Sequence, residues 1–135
     1  MAIQLSTNVR NARLDAIETT TGGTAVLKLF HTEGSPPANC AAADAGTVVA
    51  TLTLPADYFN AASGGSMTLN GTWQDTSADA AGTVDFFRMY ENTETTCHVQ
   101  GSAGTSSEDL VLDNNVVEAG QQITITAFTF TDANS

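Results

Sequence analysis

Gly71–Tyr90, GTWQDTSADAAGTVDFFRMY, holds the only tryptophan and four of the nine aromatic side chains of the chain, and the remaining segments read as partners for it. A first run ends on Trp73 after Met67 and Leu69. A second, Thr83–Tyr90, sets Phe86, Phe87 and Tyr90 within eight residues, the composition of a pleated, half-buried strand. Gln74–Gly82 between them is a loop of small and acidic residues. Large aromatics bury the most area per residue, so this segment marks the core. Trp73 and Phe86 are expected in it, together with Leu52, Ile123 and Ile125 from runs elsewhere.

Working outward, 135 residues suit one domain over 1–135. Residues 1–24 would form an arm and helix, and 25–135 a β-sandwich. Thr, Ser, Asn, Gly and Ala dominate and charged residues are only 14%, closer to β-sandwich surfaces than to helical bundles. The expected class is mainly β, a sandwich or jelly-roll-like fold with one N-terminal helix.

Charge is divided unevenly. Over residues 1–33, Arg10, Arg13 and Lys28 balance Asp15, Glu18 and Glu33; from residue 34 onward Arg88 alone opposes twelve carboxylates, giving a net −11. Such a surface repels phosphate backbones and anionic lipid, so neither nucleic acid nor a membrane is an expected partner. The acidity serves solubility, or it leaves the near-neutral start of the chain, with Arg10, Arg13 and Lys28, to dock on a partner. MAIQLSTNVRNAR lacks a basic start followed by an apolar run, and no stretch approaches the roughly 20 apolar residues of a membrane span. Synthesis and folding in a cytoplasm are expected. Cys40 and Cys97 are either a free pair or one disulfide formed in an oxidising medium.

In order, Asn8–Thr20 reads as a helix capped by Asn8, with Val9, Ala12, Ala16 and Ile17 inward and separate basic and acidic edges. Ala25–Phe30 is a strand with Val26 and Lys28 on one face and Leu27 and Leu29 on the other. HTEGSPPANCAAADAG is a long surface loop or edge excursion. Thr47–Leu54 alternates, with Val48, Ala50, Leu52 and Leu54 on the buried face. Ala56–Ala62 has room for about two helical turns. Thr95–Gln100 is the hairpin partner of the central strand, with Cys97 and Val99 on one face. GSAGTSSED is too polar and small to bury anything and reads as a mobile loop. In Gln122–Thr131 the apolar face changes sides at Ala127, so a bulge there turns Phe128 and Phe130 back to the core, or a neighbour covers the far end.

Catalytic signatures do not emerge. GxSxG, HExxH and a phosphate loop are missing, and Glu108 with Asp109 falls in a flexible tract unsuited to glycosidase geometry. A non-enzyme without cofactor is expected. Cys97 and His98 are adjacent, a poor zinc spacing. Asp75, Asp79 and Asp85 could meet calcium but do not follow its loop pattern.

NARLDAIET, ANCAAADAGTVVATLTLP, GTWQDTSADAAGT followed by FRMYENTETTCHVQG, and AGQQITITAFTFTDAN together cover nearly the whole chain. In this pattern it resembles a family of small proteins encoded among the virion genes of tailed bacteriophages and prophages. HTEGSPP and VDFFRMYENTE depart from that pattern. The resemblance implies a non-enzymatic virion structural protein, and a capsid decoration or cement protein on the outer surface of the particle is the role that fits the charge division. Its partners would be the major capsid protein and other virion proteins, as a homo-oligomer. A tail, baseplate or fibre-associated component is the alternative. A carbohydrate-binding β-sandwich aiding host adsorption is a third, and it requires Trp73 and Tyr90 exposed on one concave face.

Overall fold

A computed structural model describes residues 1–133 as one helix followed by ten strands. Helix α1 (Thr7–Thr21) is capped by Ser6, whose Oγ accepts from the Val9 N–H at 3.3 Å. It ends at Gly22, in the left-handed region at φ 87°. The cap falls two residues before the expected Asn8, because a cap oxygen serves the N–H three residues on and Ser6 is already extended. The buried stripe is Leu14 and Thr21, flanked by half-buried Arg10 and Ile17, whereas Val9 is 46% exposed. The inward face is thus rotated from the expected one. Ala12 and Ala16 have little area to bury, Leu14 has much, and Arg10 is drawn inward by a hydrogen bond to the Asp132 carbonyl at 3.0 Å.

The strands are β1 (Val26–His31), β2 (Thr47–Thr53), β3 (Ser66–Thr68), β4 (Gln74–Asp75), β5 (Gly82–Thr83), β6 (Phe86–Tyr90), β7 (Cys97–Gly104), β8 (Leu110–Leu112), β9 (Val116–Val117) and β10 (Ile123–Thr131). One large sheet runs β2-β1-β6-β7-β8-β10-β3, with β4 also on β10, while β5 and β9 pair separately. Among the described residues only β7 and β8 run parallel, so the sheet is mixed. It curls until its ends meet: the Asp75 carboxylate on β4 accepts the Thr51 N–H of β2 at 3.1 Å, and Asp79 accepts the Thr51 hydroxyl at 2.8 Å. The fold is the expected class, mainly β with one N-terminal helix.

Inside lie Trp73, Leu52 and Ile123, fully buried, with Ile125 close behind. Trp73 meets Phe59 and Phe128 edge-on, with ring centroids 5.4 and 5.7 Å apart. Phe128 reaches this cluster through a bulge in β10: Ile125 pairs with Leu112 and Ala127 with Val111, leaving Thr126 as the extra residue.

Four local expectations change. Residues 56–62 form a bend and an isolated bridge at Phe59 rather than a helix, because their backbone donors are taken by other segments. Phe59 N–H goes to Glu18, Ala62 N–H to Asp15 and Asn60 N–H to the Thr68 carbonyl. Val49 joins the core at 0% exposure, since the register shifts between Leu29 and Phe30 and leaves Val49 as a bulge. Gly101–Gly104 continue β7 instead of forming a mobile loop; a Cβ on Gly101 would stand 2.9 Å from the Phe87 ring, so the missing side chain is what lets the strand lie there. A third bulge, at His98, pairs Tyr90 with Cys97 but Met89 with Val99, and this separates Cys97 and Val99 onto opposite faces.

Candidate functional site

Alternation along β1 and β6 sends Leu27, Leu29, Phe87 and Met89 into the core and Val26, Lys28, Phe30, Phe86, Arg88 and Tyr90 to the other face of the sheet. Cross-strand pairing adds Cys97, Gln100 and Ser102 to that outer face. Phe30 and Phe86 stack there, 4.8 Å apart and nearly parallel. Phe86 is therefore buried as expected, but beneath a loop rather than around Trp73.

That cover is residues 32–46, and Arg88 fastens it. Arg88 is 1% exposed, with its guanidinium paired to Asp44 and donating to the carbonyls of Cys40 at 2.9 Å and Ala42 at 3.0 Å. Gln100 donates to the Pro37 carbonyl at 2.8 Å. Asp44 also accepts the Tyr90 hydroxyl. Burial, then this carboxylate, hold the Tyr90 phenol well above its ordinary range. Gly46 closes the loop in the left-handed region at φ 79°, where a Cβ would fall 2.1 Å from the His31 carbonyl oxygen. Cys40 and Cys97 are free thiols on a cavity of about 400 Å³ under this loop, beside Arg88 and Tyr90.

The helix makes a second assembly. Asn11, Asp15 and Glu18, one turn apart, accept the N–H groups of Gly65, Ala62 and Phe59 at 2.9, 2.8 and 2.9 Å. The expected acidic edge is thus an internal ladder. Burial, followed by the nearby Asp57 carboxylate, raises Glu18 above the usual carboxylate range, although the Phe59 N–H opposes it. Tyr58 donates to the Gly22 carbonyl at 2.9 Å, and burial pushes its phenol up to about 12.

The three basic residues expected at a docking surface are divided between two places. Arg10 and Arg13 both meet Asp132, Arg13 through an ion pair at 3.2 Å. Lys28 lies on the outer face, 3.1 Å from Glu94 and over the Tyr90 ring. Trp73 and Tyr90, at 0% and 4% exposure, do not form an open aromatic platform. Asp75, Asp79 and Asp85 each receive hydrogen bonds from neighbouring chain. Among the described residues, no group of three or more His, Cys, Asp or Glu side chains is placed to hold a metal, and no helix is long and apolar enough to cross a membrane.

Two features escape a pattern search. Arg88 was legible in principle: a lone cation between Phe86 and Tyr90 at strand spacing must be buried and paired. The exposed apolar side chains Met1, Ile3 and Val9 carry no motif. No family model, curated protein or solved structure matches the chain.

Proposed function

We propose that this chain is a non-enzymatic structural protein of a tailed-bacteriophage virion, a capsid decoration or cement protein held to the shell by its first nine residues. One observation carries the reading. Among the described residues, four large hydrophobic side chains are exposed, and Met1, Ile3 and Val9, at 119%, 82% and 46%, all precede the second turn of α1. The remainder bears the net negative charge.

This shifts the grip from charge to apolar contact. Arg10, Arg13 and Lys28 are engaged within the chain, and an exposed apolar side chain gains from leaving water on a partner. An acidic body turned outward keeps crowded copies soluble and apart. Many copies on a symmetric shell give individually weak contacts collective strength. The virion setting itself rests on the resemblance across nearly the whole sequence.

The test has two readouts. Quantitative mass spectrometry of purified particles is expected to give a copy number near that of the major capsid protein, or a simple fraction of it. Purified protein is expected to bind shells that lack it, and the double variant Ile3→Asp, Val9→Asp to lose that binding while melting like wild type. A copy number far below the shell protein moves the chain to the tail; unchanged binding by the variant overturns the apolar grip.

A further inference from the structure

We infer that Cys40 and Cys97 form a redox latch: in an oxidising medium they join as an intramolecular disulfide that fastens the covering loop to the sheet. This goes beyond the virion reading and stands without it.

Three features of the fold bring the thiols together. The bulge at His98 pairs Cys97 with Tyr90, on the face that carries Arg88. Arg88 in turn holds Cys40 by its carbonyl at 2.9 Å. Cys40 and Cys97 stand close enough to act on each other's charge. Both line the same cavity, and both are partly exposed, so a small oxidant has access. Arg88 thus holds the loop so that Cys40 lines the same cavity as Cys97, distant in sequence.

The oxidant is a low-molecular-weight disulfide. One cysteine, as thiolate, attacks it, forming a mixed disulfide and releasing one small thiol; the second cysteine attacks the mixed disulfide and releases the other. Two protein thiols are oxidised, one small disulfide is reduced to two thiols, and the two cysteine protons end on those products. Burial pushes the Cys97 thiol up to about 11, with Arg88 opposing, so the reaction quickens with alkalinity. The bridge ties residues far apart in the chain, which constrains the unfolded state strongly.

The experiment uses the full chain, purified reduced, folded by circular dichroism, and incubated with oxidised glutathione. Intact mass is expected to fall by two hydrogens, both titratable thiols to vanish, and Tm to rise by about 10 °C, reversed by reductant. Cys40→Ser is expected to take at most one glutathione and to show no such rise. Two retained thiols, two glutathione adducts on the native chain, or bridges between molecules would each overturn the latch.

Discussion

The two faces of the β1-β6-β7 region are both buried, yet by different means. The inner face is closed by apolar area, with Trp73, Phe128 and Phe87 packed edge to face. The outer face mixes Phe30 and Phe86 with Arg88 and Gln100, and is closed by a loop whose carbonyls and one carboxylate answer the two terminal guanidinium nitrogens and the Gln100 amide, while Arg88 Nε is left without a partner. Apolar burial is non-directional and tolerates adjustment, whereas a buried guanidinium demands acceptors at fixed places. The outer face therefore specifies one loop conformation, while the inner face supplies most of the stability.

Substitution should separate the two. Trp73→Ala is expected to lose about 4 kcal/mol, a cavity cost felt in the global denaturation midpoint. Asp44→Ala leaves Arg88 short of its counter-charge; because Asp44 is itself 45% exposed, the loss should be nearer to about 2 kcal/mol. Its mark should be local, with amide exchange quickening over residues 39–46 before the core opens. Adding Arg88→Met to Asp44→Ala should recover part of that loss, as an apolar replacement removes the unanswered charge. If Asp44→Ala instead quickens exchange uniformly, the faces are one cooperative unit and the distinction fails.

The smallest effect is expected where the two faces meet the rim. His31 bonds Glu33 through Nε2 at 2.9 Å and the Thr83 carbonyl through Nδ1 at 2.8 Å, and these partners raise its pKa above 6.5. A raised histidine contributes stability that is complete below the unfolded value and lost as pH rises through the folded one. The wild-type Tm should therefore decline slightly between about pH 6 and 8, and His31→Gln should flatten that slope. An unaltered slope would show that the imidazolium contributes nothing to the outer rim.

What was legible follows the same division. The inner face was readable because alternation exposes it: Leu27 and Leu29, Leu52 and Leu54, and the reversal at Ala127 that became a bulge. Bulges at Val49 and His98 were not, because each is set by a pairing partner and leaves no local mark. The helix span was readable but not its rotation, since Arg10 turns inward for Asp132, 122 residues away. Segment 56–62 has helical composition; donors claimed by Glu18 and Asp15 override it. The outer face was obscured most, as a tract rich in proline and alanine gives no sign that its carbonyls will cover an arginine.

Asp132 has a consequence for how the molecule is made. Its carbonyl and carboxylate hold Arg10 and Arg13, and its N–H holds the Gly65 carbonyl at 2.8 Å. At Gly65 itself, a Cβ would lie 2.3 Å from the Arg10 guanidinium. During synthesis on a ribosome, α1 emerges early and meets its partners at residues 58–65 long before the Asp132 anchor is made. The Asp132 anchor is therefore the last of the helix contacts to form, after the ladder from Asn11, Asp15 and Glu18 is in place.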